Sequence, residues 1–200
     1  MKKHISACVI AALLAVCAGG CGEKEPETIT ITNHAEIISQ PADMSLYMWI
    51  EEPYADFQKI SFDELNGFFE KKGSGILYLG YDGCQWCERG IPELNTVARE
   101  HGVTVYYCET DPYAPAEEFI TEDQWNKLIE NIGSVLTKSE DGEPQLFVPL
   151  VIGVKNGEIT GSHTALVDSF DIINEDDQMN DSEKKELQKI YLDIMKKTAD

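Results

Sequence analysis

The sequence predicts an α/β fold, a central mixed sheet flanked by helices, with extensions at both ends. Three observations predict it. Between residues 61 and 108, helical periodicities alternate with short apolar runs in the order α-β-α-β, so the sheet is at least partly parallel. A third apolar run, residues 146–154, leads into Lys155-Asn156-Gly157-Glu158. Asn-Gly supplies the positive φ angles of a tight hairpin, so this part of the sheet is antiparallel. Finally, Cys84-Gln85-Trp86-Cys87 stands where the apolar run 76–79 hands over to a helix. Two thiols three residues apart at such a junction suit thiol–disulfide chemistry, a structural staple or half of a metal site.

The chain begins with an address. Lys2 and Lys3 precede an apolar stretch, residues 5–16, and Ala18-Gly19-Gly20 runs into Cys21. The stretch is too short and wrongly flanked for a spanning helix and reads as a secretory signal. Residues 1–20 are therefore assigned to the signal and 21–27 to a charged tether containing Pro26.

Residues 28–60 read as an N-terminal extension packed on the domain. Ile29 and Ile31 alternate with threonines, which suggests a short strand. Residues 44–50 are aromatic and apolar, either a strand or a docking segment, bracketed by Pro41 and Pro53. The domain proper is set at 61–173. Ser61-Phe62-Asp63-Glu64 reads as a capping box opening a helix with Phe62, Leu65, Phe68 and Phe69 at helical spacing, and Gly73 stops it. Residues 76–79 form a buried strand, and Tyr81-Asp82-Gly83 turns the chain. A helix then runs from Cys84 towards Arg99 with Ile91, Leu94, Val97 and Ala98 inward, ending at Gly102. Residues 103–108 give a second central strand.

Residues 111–116 are a proline-rich connection. Thr121-Glu122-Asp123-Gln124 is another capping box, opening a helix to about residue 138 with Trp125, Leu128, Ile129 and Ile132 inward. The third strand is interrupted by Pro149, and the return strand starts at Ile159. Leu166, Val167 and Phe170 suggest the start of a further helix. Residues 174–200 comprise an acidic linker and a final amphipathic helix with Leu187, Ile190, Tyr191 and Met195 on one face.

Composition narrows the function. The chain carries 36 acidic and 16 basic residues, a net charge of −20. It has no basic stripe and no aromatic-basic interleaving, so nucleic acid is not a partner. Of six cysteines, Cys8 and Cys17 fall in the signal and Cys21 at its end, leaving Cys84, Cys87 and Cys108. A disulfide-rich scaffold needs more. Cys108 reads as a buried hydrophobe in a central strand. A metal site at Cys84 and Cys87 needs two more ligands, and His34, His101 and His163 are scattered. His163 follows the hairpin strand and either approaches the active face or, on the simpler reading, is a surface histidine. Glu51-Glu52, Glu117-Glu118 and Asp176-Asp177 read as solvated faces rather than hydrolytic dyads, and no phosphate-binding glycine loop or Gly-x-Ser-x-Gly elbow occurs.

The ending Ala18-Gly19-Gly20-Cys21 resembles a bacterial lipoprotein signal. That resemblance implies cleavage before Cys21, acylation of its thiol (a palmitate-type anchor), and a protein tethered to the outer face of the cell membrane. The strand before the pair, Cys84-x-x-Cys87, Pro92 five residues on, Val148-Pro149 and the 155–158 hairpin together resemble the thioredoxin superfamily, across roughly residues 61–170. More narrowly, the layout is similar to lipid-anchored thioredoxin-like proteins of Gram-positive bacteria named for bacteriocin transport accessory function.

The resemblance implies roles. Cys84 matches the exposed attacking cysteine, Cys87 the buried resolving one, and Pro92 the proline that kinks the active-site helix. Pro149 matches a cis-proline beside the sulfurs, and Val148 the residue whose backbone pairs with an extended client. Protein thiols or disulfides are then the substrates, with a membrane redox partner and no cofactor. Trp86, inside the pair, covers apolar client surface, shields the sulfurs or packs over the helix start. Physics supports Cys84 independently, because a helix N-terminus favours thiolate over thiol. Asp82 and Glu88 oppose it. Gly83 replaces the usual tryptophan before the first cysteine. Tyr78 stands where the family carries a buried aspartate, and with an unperturbed pKa near ~10 it is a poor base. Two readings follow: an extracytoplasmic thiol–disulfide oxidoreductase, or a non-catalytic accessory or client-binding lipoprotein that keeps the fold.

Overall fold

A computed structural model of the chain describes residues 26–114 and 119–200. The signal, Cys21 and most of the tether lie outside the described residues. So does part of the proline-rich connection, with Glu117-Glu118. Six strands form one sheet: β1 (Gln40–Pro41), β2 (Phe57–Ile60), β3 (Gly75–Gly80), β4 (Val105–Glu109), β7 (Leu150–Lys155) and β8 (Glu158–Thr164), in the order β1-β2-β4-β3-β7-β8. β5 (Thr137–Lys138) and β6 (Pro144–Gln145) form a separate small hairpin. The helices are α1 (Phe62–Glu70), α2 (Gln85–His101), α3 (Glu122–Ile132) and α4 (Asp181–Thr198).

β2, β4 and β3 are mutually parallel, β7 adds antiparallel to β3, and β8 adds antiparallel to β7. The crossover through α1 runs one way along the sheet and that through α2 runs back. Right-handed crossovers in opposite directions put their helices on opposite faces. α2 and α4 therefore pack together on one face, and α1 and α3 on the other. This mixed sheet, with its Cys-x-x-Cys at the end of the central strand, is a thioredoxin-like fold.

The strands obey the two-residue period, so each face has its own core. Ile76, Tyr78, Val105, Tyr107 and Val151 point to the α2/α4 face with Cys84 and Cys87. Leu77, Leu79, Cys108, Leu150 and Ile152 point to the α1/α3 face. At Asn156-Gly157 both φ angles are positive, 53° and 79°, as a tight primed turn requires.

The structure differs from several sequence expectations. The sheet reaches back across the expected boundary at residue 61, because Phe57–Ile60 is a strand pairing with β4. Four residues are too few for a period to stand out, and pairing supplies what periodicity does not. Ile29 and Ile31 form no strand; the Ile29 amide instead donates to the His101 carbonyl at 2.9 Å. Residues 44–50 are turns rather than a strand, and they dock by burying Met44, Tyr47 and Ile50.

Local chemistry explains the remaining differences at element ends. The Ser61 hydroxyl caps α1, but the Glu64 carboxylate turns to Lys71, 3.2 Å away, so only half of that box forms. The left-handed residue after α1 is Lys72, φ 55°, rather than Gly73. The Thr121 box is complete. α3 stops at Ile132, because residues 137–138 pair in the β5–β6 hairpin. The third strand starts at Leu150, after Pro149. Residues 165–180 hold no helix, although Leu166 and Val167 are buried. α4 buries Leu187, Tyr191, Ile194 and Met195 against the sheet, so the C-terminal helix belongs to the core.

Candidate active site

Cys84 is the N-cap of α2. Its backbone is extended (φ −73°, ψ 116°) and its sulfur accepts from the Cys87 amide at 3.3 Å. The preceding turn is possible because Gly83 takes φ 81°. Cys87, one turn into the helix, is 0% exposed, whereas Cys84 is 7% exposed. Cys84, the position the resemblance reads as attacking, is therefore the more accessible residue of the two, but more covered than the resemblance implies. Both thiols are free here, as is Cys108. Cys108 lies in the opposite core, with the sheet between it and the pair, and burial pushes its thiol up. Its buried-hydrophobe reading stands.

The sulfurs are electrically unequal. Hydrogen bonding from the Cys87 thiol, aided by the Cys87 and Trp86 amides, brings Cys84 down from its ordinary value to about 7. Burial opposes the shift, and the Glu88 charge opposes it more weakly. Burial first, then the neighbouring Cys84, pushes Cys87 strongly up. The Glu88 carboxylate is mostly engaged elsewhere: it accepts from the Gly83 amide at 2.9 Å and the Met48 amide at 2.5 Å. It thereby ties the turn before Cys84 to the N-terminal segment. Because the thiolate is the nucleophile, alkylation of Cys84 by a neutral reagent should rise with pH through about 7. Cys87 and Cys108 should stay unmodified in the native protein. Mass spectrometry of timed, pH-stepped alkylation checks this.

The sequence-predicted residues converge unevenly. Val148-Pro149 is a cis peptide, and the Val148 carbonyl lies 4.0 Å from the Cys84 sulfur. Pro149 reaches α2 where Gly90 leaves room: a methyl group there would sit 3.3 Å from both Pro149 and the Tyr191 hydroxyl. Trp86 is 45% exposed, at the rim beside the pair. Pro92 lies inside α2, as expected. His163 departs from its surface reading. It is half-buried in β8, donates to the Leu166 carbonyl at 3.1 Å and packs edge-on to Tyr191. Burial lowers its pKa.

Three features escaped the sequence reading. Arg89 is buried, and its guanidinium donates to the carbonyls of Gln85, Glu175 and Asp177 while lying 4.5 Å over the Trp49 ring. Its position two residues after Cys87, on the inner face of the helix, was the available signal. Tyr47 and Tyr107 join Tyr78 beneath the pair. Nothing local marks Tyr47, which arrives from a segment 31 residues before Tyr78. Among the described residues no group of three or more His, Cys, Asp or Glu could hold a metal ion, and no helix is long and apolar enough to cross a membrane. A cavity of about 720 Å³ lies on the Cys108 face, lined by Lys59, Cys108, Thr110 and Phe119 among others, and does not include the pair.

No family model and no curated protein matches the chain. Among solved structures, a thioredoxin from Aeropyrum pernix is similar at 17% identity and a TM-score of 0.36, covering 53% of this chain and 73% of that one.

Proposed function

We propose that the chain is a thiol–disulfide oxidoreductase acting on protein cysteines. One observation carries the reading: two free thiols share a helix start, one brought down to about 7 and slightly accessible, the other fully buried behind it. When a client disulfide is reduced, the Cys84 thiolate attacks one client sulfur. A Cys84–client bond forms and the other client sulfur leaves with the electron pair. Cys87 then loses its proton and attacks the Cys84 sulfur: the Cys84–Cys87 bond forms, the Cys84–client bond breaks, and the client sulfur leaves as a second thiolate. The reverse sequence oxidises a client dithiol. Val148, whose carbonyl faces Cys84, and the exposed Trp86 are the proposed client contacts, and Pro149 shapes that edge.

The proposed location is extracytoplasmic, by a lipid on Cys21, with a membrane redox partner. It is supported by Lys2, Lys3, the apolar residues 5–16 and Ala18-Gly19-Gly20-Cys21. The narrower bacteriocin accessory resemblance is compatible with this location and specifies no reaction of its own.

Equilibrating the purified domain with mixtures of a reduced and an oxidised small dithiol tests the function. Cys84 and Cys87 should move together, reversibly, between dithiol and disulfide, read by alkylation mass. A pair that never cycles would leave the non-catalytic accessory reading.

A further inference from the structure

Three tyrosine hydroxyls run in a chain beneath the buried sulfur. Tyr78 and Tyr107 are register partners on neighbouring strands, facing the same core, and their rings stack at 5.4 Å. The Tyr47 hydroxyl lies between theirs, 3.2 Å from Tyr78 and 3.3 Å from Tyr107. All three side chains are at least nine-tenths buried, at 1%, 3% and 4% exposure for Tyr78, Tyr47 and Tyr107.

One end of the chain meets Cys87. A methyl group on Gly80 would sit 2.4 Å from the Tyr78 hydroxyl and 3.2 Å from the Cys87 sulfur, so hydroxyl and sulfur share one niche, open because residue 80 is glycine. The other end meets a second cavity of about 250 Å³, lined by Tyr47, Tyr107, Asp82 and the Lys59–Glu109 ion pair, among others. That cavity has room for water.

Cys87 must shed a proton to attack the mixed disulfide and regain one when it is the leaving group. It has no carboxylate, imidazole or amine as a hydrogen-bond partner. Phenylalanine would fill the same core without burying three hydroxyls, which cost free energy unless paired. Burial keeps all three phenols protonated, so none serves as a free base. Each hydroxyl can still accept one proton while donating another.

Resting on the proposed thiol–disulfide activity, we infer that Tyr78, Tyr47 and Tyr107 form a proton relay between the Cys87 sulfur and the cavity at Asp82, Lys59 and Glu109. During resolution the Cys87 S–H bond breaks and the Cys84–Cys87 bond forms. The Cys84–client bond breaks, and the client sulfur leaves with its electron pair. The Cys87 proton passes to Tyr78, whose own moves to Tyr47, whose own moves to Tyr107, and one proton exits to water in the cavity. The reverse step runs the same hand-over backwards. Tyr47 is a positioning residue on this account: it never touches the reacting sulfurs and acts through Tyr78.

Single-turnover reaction of the reduced protein with an aromatic disulfide separates the two steps. Release of the first thiol reports attack by Cys84, and release of the second reports resolution by Cys87. Tyr47→Phe and Tyr78→Phe should slow the second release about tenfold or more, less than the roughly hundredfold or greater effect of a direct general acid or base because water can partly substitute, and leave the first within about twofold. The solvent deuterium isotope effect on the second release should fall in both variants. Tyr191→Phe removes another buried hydroxyl, on α4 and outside the relay, and should change neither step. Circular dichroism and thermal unfolding identify folded variants, and Tyr107→Phe tests the far end if one of the others fails to fold. Resolution at the wild-type rate in folded Tyr47→Phe and Tyr78→Phe overturns the relay alone. A wild-type protein that releases no thiol overturns the oxidoreductase reading and the relay with it.

Discussion

Cys87→Ala is expected to hold a client as a stable mixed disulfide on Cys84 and to reduce turnover to background, while Cys84→Ser loses both the adduct and the turnover. The asymmetry follows from position. Cys84 caps the helix, receives the Cys87 amide, and retains the only exposure in the pair. Cys87 has none and carries a thiol pushed up by burial. Removing Cys84 removes the nucleophile, whereas removing Cys87 leaves attack possible and deletes the sulfur that ends it. Losing the Cys87 thiol also removes the largest influence lowering Cys84. The trapped adduct should therefore form more slowly at neutral pH than the first step in wild type. Non-reducing gels and mass spectrometry of cells expressing Cys87→Ala give the adducts directly. Equal trapping by Cys84→Ser and Cys87→Ala would refute the assignment of roles.

The largest stability effect is expected at Arg89. Its guanidinium is 2% exposed as a residue and has no carboxylate partner among the described ion pairs; backbone carbonyls hold it instead. Nε donates to Asp177 at 2.6 Å, Nη2 to Glu175 at 2.6 Å and Nη1 to Gln85 at 2.8 Å. The group thus ties residues 175–177 to the start of α2 and supports Trp49 by stacking. Hydrogen bonds to a charged group contribute about 1.5–3 kcal/mol each, and part returns when exposed carbonyls regain water, so Arg89→Ala should cost about 3–5 kcal/mol. Alanine favours the helix, so the loss cannot be charged to propensity. Urea unfolding with an unchanged slope measures it. Proteolysis should also begin between residues 171 and 180. A loss below about 1 kcal/mol would mean that water replaces the guanidinium.

Much of this was legible because it is local. The Thr121 box needs only four residues to satisfy two open amides, and it forms completely. Gly102 ends α2 in the left-handed conformation that favours glycine. Cys84 at the helix start follows from an apolar run, a glycine turn and an amphipathic repeat in succession. What was misread depends on partners. Phe57–Ile60 is a strand because β4 pairs with it. Glu64 leaves its cap because Lys71 reaches it. Leu166 and Val167 are buried without a helix because the core, rather than periodicity, holds them. Glu88 opposes the Cys84 thiolate as the sequence suggests, but its tie to the Met48 amide, 40 residues away, is a contact only folding makes.

By itself, the sequence determined the alternation of helix and strand, the hairpin, and the placing of two thiols at a helix start. Those features arise from steric limits and hydrogen-bonding needs that act within a few residues. Only the tertiary structure decided which sulfur is buried, that Val148 faces Cys84 and that Cys108 is on the other side of the sheet. It alone brought Tyr47 between Tyr78 and Tyr107, over a span of 31 residues to the first and 60 to the second. The reason is that burial and long-range contact are properties of the packed sheet: strand order sets which side chains share a face, and no local pattern encodes that order.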